Sequence, residues 1–147
     1  MSKYVIVDLE MCNVPKGFRR DAYNQRSELI QIGAVVVDES LEITDEFMTL
    51  VSPEFGVVDN FIEKLTGISR KDVQGAPRAK EALELFVNWL PSDAILVSWS
   101  ENDKNQIRKE TEAKGIVVDG LNEYLDHWID CQKTLGAKMN AKKNYKL

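Results

Sequence analysis

Residues 4–10 read YVIVDLE, a short run of apolar and β-branched residues that ends in two carboxylates. Such a run is typical of a strand buried at the centre of a sheet. Asp8 and Glu10 are two positions apart, so their side chains lie on the same face of that strand. Carboxylates crowded on a buried strand repel each other and lose solvation, and a divalent cation such as Mg²⁺ or Mn²⁺ offsets both effects. Taken alone, the D-x-E spacing favours the simpler interpretation of acids at a strand end.

The patterns that follow predict a meander and then alternating helices and strands. Apolar runs bounded by turn residues predict further strands at residues 29–38, 43–51, 94–99 and 128–131. Amphipathic spacing predicts a helix at residues 79–90. Start and stop residues predict a short helix at 58–65, followed by Gly67, and a charged helix at 102–114, closed by Gly115. Polar stretches predict loops at 13–28 and 69–78 and a turn at 132–135. This order indicates an α/β class with a mixed five-stranded sheet, an antiparallel meander of three strands plus parallel strands, and flanking helices.

Composition and charge exclude several classes of protein. The chain has 147 residues and a net charge of −5, which predicts one globular domain over residues 1–147. Residues 133–147 carry +5 and the rest carries −10, so general binding of polyanions is excluded and the tail is interpreted as solvated. One histidine and two distant cysteines exclude a structural zinc site and indicate free thiols in a reducing, cytoplasmic setting. No apolar run is long enough for a membrane span.

A third acid follows the predicted strand at residues 94–99. Asp103 opens the next predicted helix, and the carboxyl ends of parallel strands meet at the edge of a sheet where ligands bind. If that strand neighbours the first one, Asp103 approaches Asp8 and Glu10. The alternative is an ordinary helix-start acid favoured by the helix dipole, with Asn102 as the cap.

Four segments together carry a family resemblance. They are VDLE at 7–10, ELIQIGAVVVD at 28–38, FIEKLTGIS at 61–69 and VSWSENDKNQI at 97–107. Their order and spacing resemble the DEDD superfamily of 3′→5′ exonucleases, in the DEDDh type, whose fold is ribonuclease H-like. Within it, the chain is most similar to the histone-mRNA and small-RNA exonucleases of the Eri-1 kind.

The resemblance implies a function and a set of site residues. Asp8, Glu10 and Asp103 match the acids that bind two metal ions, Mg²⁺ or Mn²⁺, and so match catalytic residues. The implied reaction is metal-dependent hydrolysis at the 3′ end of single-stranded RNA or DNA, which releases nucleoside 5′-monophosphates. The implied contacts to the terminal nucleotide come from Met11, Leu65, Thr66 and Trp99. For Trp99, plain burial in the core is an equally good interpretation.

One family motif has no counterpart in the sequence. The resemblance implies a histidine followed five residues later by an aspartate, but five residues after His127 stands Gln132. We therefore interpret His127 as structural and expect an incomplete domain without its C-terminal helices and with impaired activity. We also expect the loss of those helices to leave apolar surface exposed, which favours a homodimer.

Other interpretations stay open at this point. A non-catalytic domain that binds nucleic acid or protein on the same fold is the alternative function. A phosphotransfer or receiver domain, with Lys133 as its lysine, is disfavoured by the predicted antiparallel meander. Arg19, Arg20 and Arg26 either contact a phosphate backbone or form a charged loop. Cys12 is interpreted as a packed small residue rather than a nucleophile.

Overall fold

The computed structural model of the chain describes residues 3–20 and 23–138, with side chains through residue 134. Five strands form one sheet in the order β3-β2-β1-β4-β5. The strands are β1 (Lys3–Asn13), β2 (Ser27–Val37), β3 (Ile43–Leu50), β4 (Ala94–Ser98) and β5 (Ile129–Asp130). The helices are α1 (Asn60–Thr66), α2 (Arg70–Val73), α3 (Ala79–Trp89), α4 (Asn102–Lys114), α5 (Leu121–Asp126) and α6 (Cys131–Lys138). None of these helices is long and apolar enough to cross a membrane.

The sheet is mixed, as the sequence predicts. β1, β2 and β3 pair antiparallel in a meander, whereas β4 pairs parallel to β1 and β5 pairs parallel to β4. The parallel pairs require crossover connections, and α3 and α4 with α5 lie in those connections. β1 therefore takes the central place, with a neighbour on each side.

One face of β1 is the main core of the protein. Val5, Val7 and Leu9 are at most 4% exposed and belong to the cluster that includes Phe86 of α3 and Ile107 of α4. Because alternate residues of a strand point to opposite faces, these three positions share the side that the helices cover. Burial of this apolar stripe holds α3 and α4 against the sheet.

The opposite face of β1 is partly open, so the prediction of a buried strand holds for one face only, and apolar surface is exposed on the other. Tyr4 and Ile6 are 44% and 46% exposed. We call this surface the open face. It consists of side chains that the register places together on neighbouring strands: Tyr4, Ile6, Val35, Met48 and Val97. Asp8 continues the same alternation, so the open face leads directly to the carboxylates.

The three predicted helices are confirmed, and the glycines predicted to end two of them adopt the expected conformation. Asp59 precedes α1 and its carboxylate accepts the Ile62 N–H at 2.9 Å, as expected of an N-cap. Gly67 ends the helix at a φ of 78°, which is the left-handed conformation that glycine adopts at little cost. Gly115 ends α4 in the same way, at a φ of 65°.

The predicted loops were too long. β1 and β2 extend into residues 13–28 because Asn13 pairs with Ser27, and Lys16–Phe18 forms a 3-10 turn between them. Residues 69–78 contain α2, whose Ser69 and Asp72 form a reciprocal capping box. The pairing of Asn13 with Ser27 joins two strands and the capping box is a local pattern of hydrogen bonds, and the periodicity of apolar residues reports neither.

The last part of the described chain is more helical than predicted. Only Ile129–Asp130 forms a strand in place of residues 128–131, since these two residues alone pair with β4. α6 then begins at Cys131, where a strand end and a turn at 132–135 were predicted. α5 was missed because it is six residues long, too short for a periodic apolar stripe to stand out.

Candidate active site

Asp8 and Glu10 lie in the second half of β1, on the side of the open face. Asp8 is exposed and Glu10 is half-buried. In the ladder, Asp8 stands opposite Gly33, which has no side chain, so the surface beside Asp8 stays free. A bulge between Glu10 and Met11 then shifts the register of the strand. Bulges of this kind re-aim side chains and are common next to active sites.

Asp103 reaches the same place from the first turn of α4. β4 lies beside β1, so the connection from β4 to α4 delivers this half-buried carboxyl to the edge where β1 carries its acids. Burial, followed by the charges of Asp8 and Glu10, raises the pKa of Asp103 to about 7. Burial and the neighbouring Asp8 likewise raise the pKa of Glu10. The structure therefore brings the three predicted acids together.

The simpler interpretation of Asp103 as a helix-start acid does not account for this. A helix dipole lowers the pKa of an acid in the first turn, whereas the pKa of Asp103 is raised. Asn102 is not the cap either, because Glu101 takes that position and makes no side-chain capping bond. Burial, together with repulsion from Asp8 and Glu10, outweighs the dipole, and a bound cation would relieve both effects.

The three acids fit a divalent metal ion in charge and in ligand type. Their oxygen atoms are hard ligands of the kind that Mg²⁺ and Mn²⁺ prefer. Among the described residues, no group of three or more His, Cys, Asp or Glu side chains is close enough to hold a metal ion by itself. Mg²⁺ does not require such a group, because it keeps several water ligands and shares one or two carboxylates with substrate phosphates.

Two of the predicted nucleotide contacts, Leu65 and Thr66, lie at the end of α1. Leu65 is 69% exposed at the end of α1, and α1 packs against β1. Thr66 is half-buried, and its hydroxyl donates to the Ile62 carbonyl at 2.8 Å and accepts the Ile68 N–H at 3.1 Å. The Thr66 hydroxyl is thus held by its own turn, while Leu65 presents an apolar surface to solvent.

Met11 and Trp99 occupy different surroundings. Met11 follows Glu10 and packs partly against the main core. Trp99 lies one residue beyond β4, is half-buried, and belongs to neither apolar cluster of the described residues. The interpretation of Trp99 as plain core was therefore wrong. Its carbonyl accepts the Gln132 N–H at 2.6 Å, which ties the end of β4 to α6.

A buried hydrogen bond positions the turn that carries Asp103, and sequence reasoning missed it. The indole N–H of Trp128 donates to the Ser98 hydroxyl at 2.7 Å, and that hydroxyl donates to the Ser100 carbonyl at 2.6 Å. This chain of two bonds fixes the first residues after β4. The only sequence signal was a serine within an apolar strand, where a buried hydroxyl requires a partner.

A second missed feature is a buried charge cluster, which we define as Glu28, Glu110 and Lys114. The Lys114 ammonium lies 2.6 Å from a Glu28 carboxylate oxygen and 2.9 Å from a Glu110 oxygen. Glu28 also accepts three N–H groups from residues 54–56, and Glu110 accepts the Leu29 N–H. The cluster thus ties α4 to β2. The feature of the sequence that could have revealed the cluster is the i,i+4 spacing of Glu110 and Lys114, which is typical of an ion pair on a helix.

His127 and Cys12 have the structural surroundings that the sequence predicts. The Nδ1 atom of His127 lies 3.0 Å from the Glu123 carbonyl oxygen, and His127 lines a cavity with Asp93 that includes none of the three acids. Cys12 is fully buried. Burial, with the charges of Glu28 and Glu110, raises its pKa to about 12, so it stays a thiol.

Known proteins share this fold and, in part, this sequence. At TM-score 0.77 and 21% identity, the fold matches the nuclease domain of 3'hExo, described as a DEDDh family member bound to rAMP, over 95% of this chain and 71% of that one. Cell-death related nuclease 4 (CRN-4) matches at TM-score 0.75 and 19% identity, over all of this chain and 51% of that one. The predicted ribonuclease H-like fold is therefore confirmed.

Sequence comparison gives the family. The chain is 32% identical over 109 residues to DNA polymerase III subunit epsilon of Aquifex aeolicus (strain VF5), covering 74% of this chain and 49% of that protein. It is 29% identical to DNA polymerase III PolC-type of Clostridium perfringens (strain 13 / Type A), over 73% of this chain and 7% of that protein. The chain thus spans half or less of these relatives. Because the RNase_T exonuclease family matches residues 5–147, the chain belongs to that exonuclease family.

Proposed function

We propose that this chain is a single exonuclease domain that removes nucleotides from the 3′ end of single-stranded RNA or DNA. The observation that carries the proposal is the match of the exonuclease family over residues 5–147, and the charges of Asp8 and Glu10 acting on the half-buried Asp103 support it. On the fold of an exonuclease family, three crowded carboxylates are suited to holding divalent metal ions at a phosphodiester. The expected products are nucleoside 5′-monophosphates. The expected setting is the cytoplasm.

Asp8, Glu10 and Asp103 are the residues that would hold Mg²⁺ or Mn²⁺ in a two-metal site. Bound there, the metal ions supply charge stabilisation and lower the pKa of water near the scissile phosphate. The protein's own part is to bind and orient the strand. The exposed side chain of Leu65 offers an apolar surface to the terminal base, and Trp99 offers an aromatic one.

Met11 and Thr66 complete the proposed contacts to the terminal nucleotide. Met11 follows the metal-binding pair directly, so its backbone lies at the edge of the proposed site. The Thr66 hydroxyl already donates to Ile62, which holds it in one rotamer. A group held this way offers a fixed lone pair to a sugar hydroxyl at little entropic cost.

We further propose that this chain hydrolyses its substrate slowly, because its one histidine lies away from the three acids. The chain contains one histidine, and His127 lies beside Glu123 and Asp93 rather than beside the three acids. No imidazole is therefore available as a general base. General-base catalysis contributes roughly 10²–10⁴-fold, so a loss of about this size is expected against a form that carries such a base.

A direct test follows a single strand that carries a label at its 5′ end. In Mn²⁺, the expected pattern is a ladder that shortens one nucleotide at a time from the 3′ end, with 5′-monophosphates as the small product. Asp8→Asn and Asp103→Asn are expected to abolish it, while the exposed Asp119→Asn serves as a matched control. Hydrolysis that survives both site variants, or that begins inside the strand, would overturn the proposal.

The open face supports a second candidate function, a protein-interaction domain that acts as a homodimer. Tyr4 and Ile6 are nearly half exposed on the central strand, and Met48 on β3 is 63% exposed. Apolar patches of this kind commonly mark interaction sites. A symmetric pairing of two copies through the open face is the simplest assembly. Self-association without any metal-dependent hydrolysis would favour this function over the first.

A further inference from the structure

We propose that a groove beside the candidate active site binds the phosphodiester backbone and bases of the single strand, upstream of its terminal nucleotide. We call it the amide groove. Its volume is about 400–500 Å³, within the usual range of ligand sites, and its lining is dominated by side-chain amides. The lining residues are Met11, Asn24, Gln25, Arg26, Ser27, Asn102, Asn105, Gln106 and Lys109. This inference rests on the proposed function.

The position of the amide groove links it to the three acids. Met11 is the neighbour of Glu10 in β1, and Asn102 is the neighbour of Asp103 in α4, so both elements that carry acids also line the groove. Asn102, Asn105 and Lys109 are three or four residues apart and form one stripe along α4. A strand whose 3′ end lies at the acids therefore reaches the groove within a short length of backbone.

The charge of the amide groove sets it apart from the rest of the molecule. Residues 1–132 carry a net charge of −10, yet the lining of the groove contains Arg26 and Lys109 and, among the described residues, no carboxylate. Three other surface cavities of comparable size each contain two carboxylates. These are Glu54 and Glu81 in the first, Asp93 and Glu123 in the second, and Glu84 and Asp119 in the third. The first cavity also contains three cations, Arg78, Lys80 and Lys114, so its lining carries a net charge of +1, whereas the linings of the other two are net negative. With a net charge of +2, the amide groove has the most positive lining of these cavities, which favours an anionic strand there.

Hydrogen bonds fix the side chains at the floor of the amide groove, whereas the side chains at its rim have no partner among the described residues. The Ser27 hydroxyl donates to the Gln106 side-chain oxygen at 2.6 Å, and the Gln106 amide donates to Glu110 at 2.9 Å. In contrast, the side chains of Arg26 and Lys109 make no hydrogen bond or ion pair with any described residue. The same is true of Asn24, Asn102 and Asn105. Cations that lack a protein partner are available to phosphates, and amides can both donate to and accept from base edges.

The test measures binding of fluorescein-labelled 12-mers of uridine and of thymidine by anisotropy, in EDTA so that the result does not depend on metal. Arg26→Ala/Lys109→Ala is expected to weaken binding about tenfold and to reduce the salt slope by about 1.4, since each phosphate contact on a single strand contributes about 0.7. The matched control, Lys71→Ala/Lys80→Ala, removes the same charge from exposed positions on α2 and α3 and is expected to change affinity less than twofold.

Asn105→Ala separates the amides from the charges. It is expected to weaken binding severalfold while leaving the salt slope unchanged. Because the side chains of Arg26 and Lys109 have no partner among the described residues, their variants should have melting temperatures close to that of the wild type. Lys109→Gln provides a milder variant with the same direction of effect.

If both double variants lose the same affinity, binding depends on overall charge rather than on the groove, and the inference is overturned. A wild type that binds neither 12-mer at millimolar concentration would also overturn it. The proposed function fails by a different result. Groove-dependent binding with no hydrolysis in Mn²⁺ would refute the nuclease proposal and leave the groove standing. Hydrolysis at the same rate in the wild type and in the groove variants would refute the groove and leave the nuclease proposal standing.

Discussion

Replacing Lys114 by methionine should cost the protein a large part of its stability. The change removes the only cation of the charge cluster and leaves Glu28 and Glu110, both 0% exposed, without their ion pair. Glu28 keeps three backbone N–H donors. Glu110 keeps only the Leu29 N–H and the Gln106 amide, so its charge is the less compensated.

The expected loss is about 3–5 kcal/mol in the free energy of unfolding. Two charge-assisted hydrogen bonds disappear, each worth about 1.5–3 kcal/mol, and breaking a buried ion pair from one side typically costs about 3–5 kcal/mol. A domain of this size is stabilised by roughly 5–15 kcal/mol, so the variant retains little margin.

The loss should also depend on pH. Burial raises the pKa of Glu110 and Lys114 opposes that rise, so removing the lysine raises this pKa further. An acid whose pKa is raised in the folded state destabilises the fold as pH rises through that pKa. The variant should therefore lose more stability at pH 8 than at pH 5.

Urea unfolding monitored by tryptophan fluorescence measures this difference. Lys109→Met, on the exposed face of the same helix, is the matched control and should change stability by less than about 0.5 kcal/mol. The double variant Glu110→Gln/Lys114→Met should recover part of the loss, because a neutral amide replaces the stranded carboxylate. A loss below about 1 kcal/mol at pH 8, with an unchanged urea dependence, would refute the reasoning.

Three further outcomes are expected. In urea titrations with EDTA, Asp103→Asn should stabilise the protein by about 1–2 kcal/mol at pH 8, after allowance for partial solvation, and should have no effect at pH 4. The reason is that a carboxyl whose pKa is raised to about 7 destabilises the fold only above the ordinary pKa of an aspartate. Equal stability changes at both pH values would contradict this. With Ellman's reagent, the exposed Cys131 should react in the native protein and the buried Cys12 only after unfolding; fast reaction of two thiols would show that Cys12 is accessible. In sedimentation over a concentration series, the wild type should self-associate and Ile6→Lys should shift it to monomer, while the exposed Val117→Lys serves as control; a wild type that stays monomeric at all concentrations would exclude the homodimer.

The sequence was informative wherever a signal is local or periodic. The apolar, β-branched run YVIVDLE correctly identified β1 as the central strand, and the spacing of two residues put Asp8 and Glu10 on one face, because strand periodicity depends only on neighbouring residues. The terminal Gly67 and Gly115 likewise located the ends of α1 and α4, and the amphipathic pattern located α3. Short elements such as α2 and α5 escaped, because four to six residues are too few to establish a period.

For the candidate site, the sequence supplied residue types and the tertiary structure supplied their environment. Asp103 was recognisable as an acid after a strand, yet only the placement of β4 beside β1 brings it near Asp8 and raises its pKa. The bond from Trp128 to Ser98 and the pairing of Lys114 with Glu28 join residues 30 and 86 positions apart. No periodicity reports such pairs.

By itself, then, the sequence determined the order of elements, the faces of the strands and the carboxylates that a metal ion would need, because these follow from spacing along the chain. Only the tertiary structure decided which face of the sheet is open, which charges are buried together, and that Arg26 and Lys109 share one groove. Those properties depend on which surfaces meet after folding. Burial and Coulomb interactions act through space, so distance along the chain does not reveal them.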